Sequence, residues 1–504
     1  MKIIDLLANS AAVEPRRAAM KSGGIEVSYE RMLSDVCSLA GKLKSAGCSR
    51  GVNVGIVLDN SVEYLISFFA ISAAGGTILP LSAHMTAYEV AGFVDGADIS
   101  ILITGEMPVA RQSLDKLAGF KKVTIVRVRY DNKNLEVDTS ILGNCAADEQ
   151  NADVALMVPT SGTTGPPKIV MLTDRQLISN MIVYRSLMGF EAHNVVYCAL
   201  SFHHIYCICA QILTHASLAD TFLISDKPFF IRDFLKAVEA NNVTVAAFVP
   251  YMAVLMAAFP KPQMFNLRSL RHITLSGAKT PKSTYRLLTE KYKGIQFINT
   301  YGMSEAGSRI SIAAPSPNGF PIESVGRPMP SVSVKIVDDS GITLPPNCRG
   351  EIMVRSSGVM KGYYKQHDLT AKTIINGWLK TGDLGRLDDD GNLFILGRTK
   401  DIIISGGENI CPFEIEECLI EHPAIREAAV VAQRDKLLQE VPCAFVVKKD
   451  TSVQASPVDI LKFCKTRLST HKVPRAIKFL EKLPKLGTSK VDRNALKQMA
   501  NKLP

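Results

Sequence analysis

The sequence predicts an α/β fold: a large N-terminal domain of two α/β subdomains plus a small β-rich subdomain, followed by a small mobile α+β C-terminal lid domain. Three observations predict it. Helix-spaced apolar segments alternate with short apolar runs over roughly the first 320 residues, the wiring of parallel strands joined by helical crossovers. From 331 to about 397 the apolar positions recur every second residue, and past Asp401 short strands and helices mix again. A chain of 504 residues also exceeds one core and predicts two to four domains or subdomains.

Taken in order, 29–46 has a helical pattern, 52–58 reads as a strand, 62–74 as a helix, and 77–81 and 101–104 as strands. The run VEYLISFFAISAAGGTILPL carries Glu63 and a glycine pair, so it reads as a core helix followed by a strand; a membrane span needs about 20 apolar residues. A second α/β set follows, with strands at 154–158, 195–200, 221–224, 243–249, 271–275 and 295–299 and helices at 210–219, 231–241 and 281–293. In the β-rich part SVKIV, GEIMVR and NLFIL are strands, and DDDGN is a hairpin turn. The tail places helices 412–421 and 457–468 among strands 428–432 and 443–447, long enough for a separate lid-like domain.

Composition narrows the function classes. Hydrophobic residues at 47% against 21% charged are an ordinary globular balance. The opening MKIIDLLANSAAVEPRR holds a short apolar run with Asp5 and Glu14, which is no signal peptide. Eleven cysteines, an odd number without paired C-x-x-C spacing, read as reduced core thiols in a cytoplasmic protein. Most of the net charge of +10 lies beyond residue 450, where nine lysines and three arginines face three acids. These cations are scattered among Leu, Val and Ile without interleaved aromatics, which disfavours nucleic acid and favours an anionic small molecule. No feature of the sequence sets an oligomeric state.

The segment Met157-Val-Pro-Thr-Ser-Gly-Thr-Thr-Gly-Pro-Pro-Lys168 concentrates hydroxyls, glycines and a lysine after an apolar strand. Gly162 and Gly165 let backbone N–H groups approach an oxyanion closely. Thr160, Ser161, Thr163 and Thr164 add hydroxyl donors, and Lys168 adds a point charge. The spacing is not the nucleotide P-loop G-x-x-x-x-G-K-[ST], because prolines follow Gly165 and no helix can start there; this removes a Walker-type kinase. SGTTGPPK resembles the signature loop of the acyl-adenylate-forming superfamily, which comprises acyl-CoA synthetases, adenylation domains and luciferases. Its style is that of fatty-acid and aryl-acid CoA ligases.

Further segments resemble that family's motifs in the same order over nearly the whole chain. Phe202-His-His-Ile-Tyr206 is similar to the aromatic-rich acid-pocket motif, where the resemblance implies that His204 gates the tunnel or steadies the carboxylate. No aspartate stands near it to pair with a substrate ammonium, so a neutral hydrophobic acid is expected. Thr274-Leu-Ser-Gly-Ala-Lys279 is similar to the adenine wall, implying contacts from Gly277, Ala278 and Lys279; relatives usually carry a small or apolar residue where Lys279 stands. Asn299-Thr-Tyr-Gly-Met-Ser-Glu305 resembles the motif in which the aromatic, here Tyr301, stacks on adenine, Ser304 reaches the α-phosphate and Glu305 holds Mg²⁺, a cation that prefers hard carboxylate oxygens. Asn299, Thr300, Gly302 and Met303 are carried over as nucleotide neighbours, and Thr300 replaces a frequent glycine and narrows the tunnel.

Thr381-Gly-Asp383 resembles the motif whose carboxylate accepts both ribose hydroxyls, with Phe394 as a further contact. Gly397-Arg398-Thr-Lys-Asp401 implies that Arg398 donates to ribose or phosphate and that Lys400 is the hinge, dividing the chain into 1–399 and 400–504. Ser405-Gly-Gly-Glu-Asn-Ile-Cys-Pro-Phe-Glu-Ile-Glu416 resembles the glycine strand of acyl-CoA synthetases. Gly406 and Gly407 would pass a pantetheine arm, and Cys411 replaces a usual aromatic. Leu483-Pro-Lys-Leu-Gly-Thr-Ser-Lys-Val-Asp-Arg493 resembles the motif of the catalytic lysine, here Lys490, with Ser489 for the customary glycine.

The resemblance implies a two-step ligase using ATP, Mg²⁺ and coenzyme A on a medium-chain fatty or aromatic carboxylic acid. A stand-alone enzyme loading an acyl carrier protein is the alternative acceptor reading, and a non-catalytic nucleotide- or acyl-binding homologue is the alternative of another class.

Overall fold

The computed structural model describes residues 1–105, 123–131, 134–140, 145–160, 168–225, 227–314, 320–449, 455–485 and 491–502. Two sheets of mainly parallel strands form the large domain. In one, the run Gln296–Tyr301, His272–Leu275, Val245–Phe248, Val195–Cys198, Thr221–Ile224 is parallel and continues into Ala18–Ser22, and short antiparallel strands close both edges. In the other, Val154–Thr160, Thr77–Leu81, Asn53–Val57, Ile99–Thr104 and Thr124–Asp131 are parallel neighbours. The helix Val62–Ala74 lies in the core that joins them. It is buried on nearly every side, which is why its sequence is continuously apolar and lacks a polar stripe. Ser61 caps its start, its hydroxyl accepting from Tyr64 N, and Gly75 at φ +89° ends it.

Three differences from the sequence reading bear on the site. The strand expected at 154–158 runs to Thr160 and returns antiparallel as Lys168–Thr173, so the hydroxyl-rich segment joins the two arms of a hairpin. The return strand KIVMLT is buried on successive residues and offers no alternation to read. The helix expected at 210–219 begins at Ile205, and its stretch Ile208–Leu213 is wound wide as a π-helix. Gln211 explains part of this: its amide donates to Tyr197 O at 2.8 Å and its carbonyl accepts from Cys207 Sγ at 3.0 Å. The β-rich sheet contains the expected strands plus Trp378–Leu387, which lies between Gly350–Ser356 and Leu393–Arg398 and carries Asp383.

The C-terminal domain folds about its own sheet, with Ile425–Asp435 paired antiparallel to Gln439–Lys448. Alternate residues point to opposite faces. Val430, Ala432, Ala444 and Val446 meet the helices Pro412–Glu421 and Pro457–Lys465, while Ala429, Val431, Cys443 and Phe445 meet Arg493–Asn501. Both layers draw their buried residues from 403 onward. Across the seam to the large domain, Cys411 Sγ donates to Leu396 O at 2.6 Å, and Arg349 Nη1 stands 3.6 Å from Glu414.

Candidate active site

The C-terminal ends of the parallel strands position the site, as expected where helical crossovers open a crevice. Tyr301 is the last residue of Gln296–Tyr301, and its hydroxyl donates to Asp383 Oδ2 at 2.7 Å. Arg398 Nε lies 3.2 Å from Asp383 Oδ1, because Asp383 and Arg398 are register partners on adjacent strands. Asp383 is itself fixed from behind: its N–H donates to Thr381 Oγ1, and Thr381 donates to Ile352 O. Burial, then the Asp383 carboxylate, hold the Tyr301 phenol well above its ordinary range, so it remains a donor.

Beyond Tyr301 the chain makes a tight turn. Gly302 packs so closely that a Cβ there would stand 1.6 Å from Ser308 O. The turn presents Ser304 and Glu305, and Glu305 Oε1 accepts from Tyr363 OH at 2.9 Å while Met360 N donates to Glu305 O. Lys168 Nζ stands 5.4 Å from the Tyr363 ring centre. Thr160 Oγ1 donates to Lys168 O at 3.2 Å at the hairpin's base. Burial, the Glu305 charge and its hydrogen bond keep Tyr363 protonated. Lys400 is held below its ordinary range first by burial, then by Arg398, with Lys168 and Lys497 adding and Asp401 opposing. The cations Lys168, Arg398 and Lys400 thus share one neighbourhood beside Glu305 and Tyr301, a setting that a polyphosphate with a divalent cation relieves.

On the opposite flank, His203 and His204 lie with ring centres 4.0 Å apart. Burial, then His204 and His84, push His203 down to about 3. Tyr206 OH is 2.7 Å from Thr274 Oγ1. Gly277, at φ +88°, and Ala278 are exposed at the end of His272–Leu275. Thr300 is buried, and its hydroxyl turns to Leu275 O at 3.5 Å on the neighbouring strand. Asn299 Nδ2 reaches Ile322 O and Ser324 O, tying the strand Gln296–Tyr301 to the segment around 322–324. Met303 is half-buried, its carbonyl accepting from Ala306 N and Ser308 N. Phe394 is buried under the Arg386 guanidinium, 4.0 Å from its ring centre. Gly406 and Gly407, at φ +58° and +87°, form an exposed hairpin tip held by Gly406 N donating to Leu438 O.

The structure therefore brings Tyr301, Asp383 and Arg398 into one group and Glu305 with Lys168 into another. The expected residues Ser161, Gly162, Thr163, Thr164, Gly165 and Lys490 lie outside the described residues. Sequence reasoning missed Tyr363, and within Phe202–Tyr206 it gave a role to His204 and none to His203. The aromatic pair after Gly362 in KGYYK was the available signal for Tyr363, since glycine followed by aromatics marks a close approach.

Comparison with known proteins adds the family. The model of the AMP-binding enzyme family matches residues 7–364, and that of the AMP-binding enzyme C-terminal domain matches 414–490. The chain is 31% identical to a 2-succinylbenzoate–CoA ligase of Bacillus cereus over 99% of this chain and 98% of the relative. It is also 31% identical to the 2-succinylbenzoate–CoA ligase of Bacillus licheniformis, over 97% of this chain and 98% of that one. Among solved structures, ATP-bound MatB from Rhodopseudomonas palustris superposes with a TM-score of 0.89 at 25% identity, covering 100% of this chain and 99% of that one. The o-succinylbenzoate CoA synthetase MenE from Bacillus subtilis, in complex with the acyl-adenylate OSB-AMP, superposes with a TM-score of 0.83 at 27% identity, covering 98% and 97%.

Proposed function

The chain belongs to the AMP-binding enzyme family and is an AMP-forming acid–CoA ligase, and from that premise we propose that its substrate is a hydrophobic acid of aromatic type. One observation carries the nucleotide half of this reading: Tyr301, Asp383 and Arg398, from three separate segments, converge within hydrogen-bond reach beside Glu305. Relatives named for an aromatic acid support the acid half.

In the first step the carboxylate oxygen attacks the α-phosphorus of ATP, forming a mixed acyl-phosphate anhydride as pyrophosphate leaves. Asp383 accepts from the ribose hydroxyls, Tyr301 covers the adenine, and Thr160, Lys168 and the segment between them hold the β- and γ-phosphates. Glu305 is the residue that would hold Mg²⁺, whose bound charge offsets that of the phosphates. Lys490 bridges the attacking carboxylate and the α-phosphate, which makes the attack effectively intramolecular and stabilises the charge that builds there. His204 steadies the carboxylate, and Ser304 donates to the α-phosphate.

In the second step the thiol of coenzyme A attacks the acyl carbon and AMP leaves. The domain beyond residue 399 turns about Lys400, withdraws Lys490 and brings Gly406 and Gly407 to the pantetheine arm. The odd number of cysteines without paired C-x-x-C spacing is the support for a reducing, cytoplasmic setting. Among the described residues no helix is long and apolar enough to cross a membrane.

The test is pyrophosphate release from ATP with a panel of fatty, benzoic and cinnamic acids, followed by addition of coenzyme A or a phosphopantetheinylated carrier. An acyl-CoA product is expected, with adenylate formation falling at least about 100-fold in Lys490→Ala. Acyl transfer to the carrier alone would change the acceptor, and no pyrophosphate with any acid would mark a binding protein.

A further inference from the structure

Arg309 is 1% exposed, and Nε, Nη1 and Nη2 all lack a hydrogen-bond partner among the described residues. Arginine keeps its charge under all ordinary conditions, so a guanidinium taken from water needs an anion or several acceptors. Aromatic rings supply part of what it lost: its Cζ lies 3.5 Å from the Tyr184 ring centre and 5.9 Å from that of Tyr206. Glu305, in the same turn of chain, already accepts from Tyr363, and no salt bridge to Arg309 is found among the described residues.

The backbone is bent to place this side chain inward. Ser308, a buried residue with a side chain, sits at φ +98° directly after Gly307 at φ +68°. Such a conformation is strained for serine and persists only where the surroundings enforce it. Here Ser308 O abuts Gly302, Ile310 N donates to Tyr301 O, and Asn180 Nδ2 donates to Arg309 O at 2.8 Å. The π-wound stretch Ile208–Leu213 lies on the same side: burial pushes the Cys209 thiol up to about 11 while the Arg309 charge pulls it down. Tyr206, two residues past His204, joins this cluster, its ring facing Arg309 and its hydroxyl 2.7 Å from Thr274 Oγ1.

We propose that Arg309 receives a second carboxylate of the substrate acid, remote from the one that is activated, so that the preferred substrate is a dicarboxylic acid. This rests on the acid–CoA ligase reading and changes the expected neutral acid into one with an anionic far end. The Tyr184 ring offsets part of the charge's desolvation, and the guanidinium N–H groups, which have no acceptor among the described residues, can pair with a carboxylate in bidentate fashion. A monocarboxylic acid of the same shape would leave the buried cation bare, which is the strongest ground on which a pocket rejects an analogue.

Matched pairs test this: 2-succinylbenzoate against 4-oxo-4-phenylbutanoate, and adipate against hexanoate, in pyrophosphate release by the full chain with ATP and Mg²⁺. The expected kcat/KM ratio favours the dicarboxylate by about 100-fold. In Arg309→Gln that preference collapses, chiefly through KM, and Arg309→Lys restores part of it. A readout free of turnover is the thermal shift given by the dicarboxylate in the presence of AMP, expected in the wild type and absent from Arg309→Gln. Equal use of both members of each pair by the wild type would overturn the proposal while leaving the ligase reading intact. So would an undiminished preference in Arg309→Gln that still shifts with AMP. Pyrophosphate from no acid, with no AMP shift, would remove the ligase reading and this one with it.

Discussion

Lys279 Nζ stands 2.7 Å from Glu417 Oε1 and 4.2 Å from the centre of the Phe413 ring, so the segment that follows strand His272–Leu275 is fastened to the first helix of the C-terminal domain. Relatives with a small residue at this position could not make the same fastening. Half-buried ion pairs and cation–π contacts are each worth about 0.5–1 kcal/mol. Lys279→Ala and Glu417→Ala are each expected to speed proteolytic cutting near residue 400 about two- to fivefold, and the double variant no more than either single one. Additive effects in that double-mutant cycle would show the two residues to be uncoupled.

Asp383 is expected to set nucleotide affinity, since Tyr301 and Arg398 both converge on it. Asp383→Ala should weaken AMP binding by at least about tenfold in calorimetry, in keeping with a lost charged hydrogen-bond acceptor. Tyr301→Phe keeps the ring and the Arg398 pair, and a loss of about threefold is expected.

Gly302→Ala should be severely destabilising. Its new methyl would overlap Ser308 O, and backbone on both sides of the contact leaves no soft neighbour to yield. A loss of about 3 kcal/mol or more is expected in chemical unfolding, in the range of overpacked cores. A variant that unfolds like the wild type would show that the turn can shift.

His203 predicts an acid-side weakness. Its folded value of about 3 lies below the ordinary 6.5, so between those values the unfolded chain binds a proton that the folded chain refuses. Stability contributed by the neutral ring is full above about pH 6.5 and declines as pH falls towards 3. The melting temperature of His203→Asn should therefore fall less steeply than that of the wild type between pH 6.5 and 4.5, read by a thermal-shift series at fixed ionic strength.

Where one residue's surroundings are made by its own segment, the sequence was legible. The helix Val62–Ala74, the strand Thr77–Leu81 and the helix Pro412–Glu421 have the bounds expected from apolar spacing and their flanking glycine, serine or proline. The hairpins formed by Ala18–Ser22 with Ile25–Ser28 and by Thr124–Asp131 with Asn134–Ser140 went unread, because short edge strands depend on the sheet they join. Site residues were named from ordered motifs, but the bond from Tyr301 to Asp383 spans 82 positions and no local pattern encodes it. Arg309 was invisible for the same reason. In sequence an arginine after Ala-Gly-Ser reads as a surface turn, and only the packing of Tyr184 and Gly302 reveals it as interior.

The two-layered apolar interior of the C-terminal domain also has a consequence for engineering. Because each layer is filled by residues from 403 onward, a cap transplanted from a relative would bring its whole interior with it. The host surface would then have to match the described polar and aromatic handholds at the junction, namely Lys279 with Glu417 and Phe413, Arg349 with Glu414, and Leu396 with Cys411. Chain exchange at that junction becomes a question of a few side chains at the rim, with neither interior rebuilt.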